Sequence, residues 1–166
     1  MSREVRRVPV NWEHPKDENG HLIPLIGGSF KEHAAKWDEE AEQWNKGFYR
    51  LSGDEWKPKE PDQTGMYEDW DGSRPEEHDY MPDWPEAERT HYQMYETTTE
   101  GTPISPAMET LEALARWLTD NNASAFGDMG ATYDQWLATI KRGWAVSAVF
   151  TLGKGIVSGV EGLHGK

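Results

Sequence analysis

The sequence predicts an α+β fold: a single domain over residues 1–166, with a small, mainly antiparallel sheet, about three helices and a long irregular acidic loop. Three observations carry that reading. Apolar residues recur at helical spacing in three places, each behind a capping residue. Extended stretches rich in Val, Tyr, Thr or Ile lie at both ends of the chain and before the second helix. Between residues 52 and 90 neither period holds, and Gly and Pro punctuate a run of carboxylates. Strands and helices in this order suit an antiparallel α+β arrangement, and no internal repeat of solenoid period is present.

The chain opens with Val5, Val8 and Val10 set among Arg and Pro, which predicts a short edge strand over Glu4 to Val10. Pro9 has no N–H to donate and is tolerated only at an edge. "RRVPVNWEHPKDENGHLIPL", residues 6 to 25, carries an Asn-Gly turn signal. It predicts strand–turn–strand, with His21 to Ile26 as the second extended piece, Trp12 as a core ring, and His14 and His21 simply beside the turn.

The clearest element follows. Ser29 and Glu32 form a capping box, and Phe30, Ala34, Trp37, Ala41 and Trp44 recur at steps of four and three. Helix 30–46 is predicted, with Gly47 as its C-cap. The acidic excursion 52–90 contains Trp56, Met66, Tyr67, Trp70, Tyr80, Met81 and Trp84. Disordered segments are poor in aromatics, so these rings are expected to pin the loop to the domain. A loop of this length is more often functional than incidental.

"HYQMYETTTEG" fits a strand, and "TPISP" leads out of the turn at Gly101. Thr110 can cap a helix bearing the stripe Leu111, Leu114, Ala115 and Leu118, which ends near Asn121-Asn122. Thr132 and Gln135 form a second capping box ahead of Tyr133, Trp136, Leu137 and Ile140, with Lys141 and Arg142 suited to the C-terminal turn and Gly143 to the cap. "WAVSAVF" and "IVSGVEGL" flank "TLGKG" and read as a terminal β-hairpin.

Composition bounds the chemistry. Only 36% of residues are hydrophobic, but nine Trp, six Tyr and four Phe supply bulk that Leu, Ile and Val would otherwise provide. There is no cysteine, which excludes disulfides, thiolate metal ligands and a thiol nucleophile, and suits a reducing compartment. No apolar run approaches the ~18 residues of a membrane span, and residues 1–4 lack the apolar segment of a signal peptide; a soluble, cytosolic protein is expected. The net charge of −13 is concentrated: residues 54–100 hold 15 acidic and 4 basic side chains. Such a field disfavours direct contact with nucleic acid or anionic membrane and favours a basic partner.

Candidate reaction centres are weak. His14 and His21 flank Asp17 and Glu18, and imidazole with carboxylate suits zinc or iron, but the spacing matches no metal motif. A comparison of Trp12 and "HLIPL" with a WW module fails, since the next Trp, Trp37, lies inside a helix. "EEHDY", residues 76 to 80, gathers carboxylates around His78 and reads as a solvated charge run. "LGKGIVSG" lacks the phosphate-loop pattern, and Ser105 and Ser147 lack a nucleophile elbow. No catalytic residue, metal or cofactor is assigned.

The acidic middle is the remaining candidate. Glu68, Asp69, Asp71, Glu76, Glu77, Asp79 and Asp83 could form the charged rim of a partner-binding surface, with Trp56, Tyr67, Trp70, Tyr80 and Trp84 as aromatic anchors. Carboxylates displayed like phosphates could also mimic nucleic acid.

"VRRVPVNWEHPKDENGHLIPL", "YETTTEGTPISP", "LARWLTDNNASAFGDMGATYDQWLATI" and "SAVFTLGKGIVSGVEGL" resemble a family of small accessory proteins, of unassigned function, encoded by tailed phages and prophages of Gram-negative bacteria. The resemblance covers both ends and the last third of the chain and transfers no catalytic residue. It implies a setting, the host cell cytoplasm of an infected or lysogenic cell. With the charge, it implies a role: binding and blocking the basic surface of a host protein or ribonucleoprotein complex of the CRISPR or restriction type. A metal-dependent hydrolase using His14, His21 or His78, and a virion or assembly factor, are the alternative expectations.

Overall fold

The computed structural model describes residues 2–51, 55–97 and 101–164. It is α+β, with eight strands and five α-helices among the described residues. The chain forms two compact units: residues up to Leu25 together with those from Trp84 onward, and Ile26–Asp83.

The first unit is built on a four-stranded antiparallel sheet whose strands lie in the spatial order Thr102–Pro103, His91–Thr97, Ser2–Val8, Trp144–Ala145. Strand β1 (Ser2–Val8) pairs along its whole length with β4 (His91–Thr97), from Ser2 opposite Thr97 to Val8 opposite His91. Its other side meets β6 (Trp144–Ala145) at Arg3 and Glu4. The expected edge strand is therefore flanked on both sides. Pro9 does not force it to an edge, because the strand stops at Val8 and the ring falls just outside the ladder. β5 (Thr102–Pro103) closes the other side against Tyr95 and Glu96.

Two helices pack on this sheet. α3 (Leu111–Asp120) starts where Thr110 accepts from the Ala113 N–H, and α4 (Tyr133–Arg142) where Thr132 and Gln135 exchange hydrogen bonds in a complete capping box. Gly143 ends α4 in the left-handed conformation (φ +94°), which costs glycine no Cβ clash. The apolar stripes converge with Met94 of β4 in one core: Leu114, Ala115, Leu118, Ala125, Trp136, Ile140, Ala145 and Val160.

The terminal hairpin consists of β7 (Ala148–Thr151) and β8 (Gly155–Ser158), a two-stranded sheet of its own. The expected flanking strands are shorter than "WAVSAVF" and "IVSGVEGL". Trp144 and Ala145 leave to join the main sheet, and Gly159–Gly162 turns into a short helix, α5, under a Ser158 cap on the Glu161 N–H. Gly159 sits so close to the Val146 carbonyl that an added Cβ would overlap it.

The Asn-Gly turn forms, with Gly20 at φ +84° and the Asp17 carboxylate accepting from the Asn19 and His21 N–H groups. The ladder beyond it shrinks to a single bridge, Lys16 to Leu22.

The second unit is organised around α1 (Phe30–Asn45), within one residue of the expected helix. Ser29 caps the Glu32 N–H at 3.3 Å, and Gly47 takes φ +90° one residue beyond the cap position Lys46. Around α1 run β2 (Phe48–Tyr49) paired with β3 (Lys57–Pro58), the five-residue helix α2 (Tyr67–Asp71), and a 3-10 turn over Glu77–Asp79. The expected excursion does not stand apart from a helix: its described residues to Asp83 belong with α1, and from Trp84 they belong to the first unit.

Candidate functional site

The second unit holds 16 acidic and 7 basic residues within 58, a net charge of −9 out of −13. How it folds determines which of those charges are available. Trp44, buried at 2% exposure, is its centre. Its indole N–H donates to the Gly65 carbonyl at 2.9 Å, Trp70 stacks on it at 5.4 Å between centroids, Tyr67 tilts against it at 5.8 Å, and the Lys59 ammonium sits 3.8 Å over its face. Trp37 lies edge-on to Tyr67 and donates to the Gly72 carbonyl. At the other end of α1, Phe30 and His33 both contact Tyr80. Three rings of the acidic stretch, Tyr67, Trp70 and Tyr80, are thus packed onto the face of α1 that the periodicity marked.

This packing divides the five rings read as partner anchors. Tyr67 and Tyr80 are buried, each 8% exposed, while Trp56, under the Arg50 guanidinium at 4.4 Å, is half-buried. Trp84 is half-buried in the first unit, edge-on to Trp12 at 4.7 Å. Trp70 alone among the five is exposed, at 46%.

The carboxylates divide too. Asp69 accepts from the Met66 N–H at 2.9 Å and so starts α2. Asp71 acts on the Tyr67 hydroxyl. That hydroxyl donates to Glu40 Oε2 at 2.7 Å, and burial, reinforced by the charge of Glu40, raises its pKa. Burial pushes the Glu40 carboxyl up, but the Tyr67 and Arg50 hydrogen bonds and the charges of Lys36 and Arg50 outweigh it and hold the group below the usual range.

Four of the seven cations of the unit are engaged with carboxylates of α1. Arg74 grips Asp38 with two hydrogen bonds of 2.8 Å, Arg50 reaches Glu39 and Glu40, and Lys36 and Lys46 pair with Glu40 and Glu42. Glu68, Glu76 and Glu77 are exposed, and among the described residues no Lys or Arg lies within ion-pair reach of them. Asp79 is exposed; among the described residues its carboxylate and that of Glu76 meet only the His78 ring, 3.3 Å from each. Asp83 is exposed as well.

In the first unit His14 is not the bystander of a turn that the sequence suggests. It is buried, with Nε2 at 2.6 Å from the Ile23 carbonyl and Nδ1 at 3.2 Å from the Tyr95 hydroxyl. A carbonyl only accepts, so Nε2 carries the proton and donates to Ile23, while the single Tyr95 hydroxyl proton faces two acceptors, His14 Nδ1 and Gln93 Oε1. The same hydroxyl accepts from Trp12 Nε1 and lies 3.2 Å from Gln93 Oε1, while the Arg6 guanidinium covers the Tyr95 ring at 4.3 Å. Burial lowers the pKa of His14, and Arg6 adds to the effect. Both ring nitrogens are occupied, so the box is structural. His21 is 79% exposed and leans on Asp17 at 3.3 Å; it does not converge with His14.

Among the described residues no group of three or more His, Cys, Asp or Glu side chains could hold a metal ion. Ser105 is buried, accepting from the Met94 N–H and donating to the Pro106 carbonyl. "LGKGIVSG" is the β7–β8 turn and strand. No described helix is long and apolar enough to cross a membrane. Comparison of the chain with protein-family models, curated proteins and solved structures finds no match.

Proposed function

We propose that this protein is a non-catalytic binding protein whose Ile26–Asp83 unit presents carboxylates to the basic surface of a nucleic-acid-handling partner, occluding the site that nucleic acid would occupy. The partner class we favour is a host defence complex of the CRISPR-effector or restriction type, in line with the sequence resemblance to phage accessory proteins.

The observation that carries the reading is the division of charge on the acidic unit. Its engaged cations, Lys36, Lys46, Arg50 and Arg74, are matched to the carboxylates of α1, whereas Glu68, Glu76 and Glu77 are exposed with no Lys or Arg paired to them among the described residues, Glu76 meeting only the His78 ring. Carboxylates left at full charge raise the on-rate and selectivity for a basic surface more than they add affinity. Trp70, exposed at 46% in the same short helix as Glu68, supplies an aromatic surface on which a guanidinium can stack.

The test is competition. Purified effector and restriction complexes are titrated with the protein, with and without their nucleic acid, at increasing salt. Nucleic acid should compete, affinity should fall steeply with salt, and the triple variant E68K/E76K/E77K should lose ten-fold or more. Asp69 and Asp71 are left out of the variant because they support α2 and Tyr67. Affinity indifferent to both salt and charge reversal would overturn the reading.

A further inference from the structure

The β7–β8 hairpin has two unlike faces. On one, Val157 is buried at 8%, and Val149 and Val157 close against Gly162 of α5. On the other, Phe150 and Ile156 stand opposite each other across the ladder, exposed at 73% and 64%, and Leu152 in the connecting turn is exposed at 91%. Strand alternation requires this division, since neighbouring residues point to opposite faces. An aromatic–aliphatic cross-strand pair is a sheet-stabilising contact, here left open to water.

The edges are open as well. The hairpin is a sheet of two strands, and among the described residues no third strand joins it. Edge strands are normally blunted by Lys, Pro or an inward charge. β7, with the sequence AVFT, has none of these.

We propose that this hairpin is the contact through which two copies of the chain associate, β7 pairing antiparallel with β7 of the second copy about a two-fold axis to make one four-stranded sheet. Charge selects the occupant. Two chains of net −13 repel across most approaches, but Trp144 to Ser158 contains one ionisable side chain, Lys154, which is itself paired with Glu161 at 2.8 Å. This is a stretch that can meet its own copy without like-charge cost, and a symmetric contact is the commonest solution for identical chains. Area sets the strength. Three bare apolar side chains make a patch of a few hundred Å², within the roughly 300–600 Å² of the largest patch on a monomer. A standard interface takes about 800 Å² per partner, so even with the strand edge added the dimer is weak and concentration-dependent. This association does not involve the acidic unit and stands whether or not the binding role proposed for it holds.

Sedimentation equilibrium over a concentration series tests it. A reversible dimer is expected, strengthened by salt as the net charge is screened. F150D and L152D, both at exposed positions and checked for native circular dichroism, should each weaken it at least ten-fold. The chain has no native cysteine, so F150C should cross-link into a disulfide dimer under mild oxidation, while S73C, at an exposed site on the other unit, should not. A protein that stays monomeric at high micromolar concentration, a dimer unaffected by F150D, or one that salt dissolves would each overturn the proposal. So would a monomer that instead sediments with phosphatidylcholine–phosphatidylglycerol vesicles.

Discussion

His14 is held neutral by its surroundings, and this has a consequence for stability in mild acid. Its pKa lies below the ordinary 6.5, chiefly because burial penalises the imidazolium. On acidification the unfolded chain therefore takes up the proton first. Stability should fall as pH drops below about 6.5 and level off once the folded-state pKa is passed. The carboxyls of Asp17, Asp38 and Glu42, lowered by hydrogen bonds, also lose their contribution in acid, but only as pH falls into the carboxylate range, so a slope that begins near pH 6.5 belongs to His14. Urea titrations from pH 7.5 to 5 should show the slope, and H14Q should flatten it while losing about 1–3 kcal/mol at neutral pH from the broken Tyr95 and Ile23 bonds. None of this was legible locally. The partner hydroxyl of His14 is 81 residues away, and nothing in "WEHPKDENGH" announces it. A second residue points the other way. Thr139 is fully buried in α4, and among the described residues its hydroxyl has no hydrogen-bond partner. T139V keeps the shape and removes the unsatisfied group, so it should raise stability by about 1 kcal/mol, seen as a higher melting temperature. A lower one would show that the hydroxyl is satisfied.

At the scale of elements, what the sequence disclosed was what chain neighbours decide. The Thr132–Gln135 box, the Thr110 cap and the left-handed Gly143 lie within three or four residues of the groups they serve, and each forms where expected. T132A removes the first of these and should cost about 1 kcal/mol, lowering the melting temperature by about 2–4 °C. The turn at "TLGKG" was legible for the same reason. What distant packing decides was not. Whether Trp144 and Ala145 extend the hairpin or leave for the main sheet depends on Arg3 and Glu4 at the far end of the chain. Likewise, "GVEG" becomes a helix because Ser158 caps it and because Gly159 must pass the Val146 carbonyl with no side chain. G159A should therefore be among the most damaging small substitutions in the chain, about 3 kcal/mol, by overpacking a backbone that cannot yield. Since Phe150, Leu152 and Ile156 face outward, substitutions there should leave the same melting temperature nearly unchanged. The contrast separates the face of the hairpin that holds the fold from the one that does not. For the acidic stretch, the rings pack as inward pins at Tyr67 and Tyr80, which aromatic content in a Pro-rich segment had suggested. Their assignment to α1 came only from the contacts themselves.

For the molecule as a whole, the charge that marks the candidate site also works against the fold that carries it. The Ile26–Asp83 unit holds a net −9 in 58 residues, and the exposed α1 ion pairs, screened by solvent, return little stability. Glu68, Glu76 and Glu77 contribute no ion pair with Lys or Arg among the described residues, so no Lys or Arg partner offsets their share of the unit's net charge. Two outcomes follow from the same residues. Raising salt from about 20 mM to 500 mM shortens the Debye length several-fold and should raise the melting temperature by a few degrees, where a fold held mainly by its ion pairs would lose stability. In low salt E68K/E76K/E77K should then be more stable than the parent chain, while the same variant loses its basic partner. Scanning calorimetry and the competition assay on one set of proteins give both readings. A variant that gains stability and keeps binding would mean that these carboxylates serve neither purpose. One that loses both would place them in the fold rather than the interface. Gain in one with loss in the other is the pattern expected where selection retains destabilising charge for recognition.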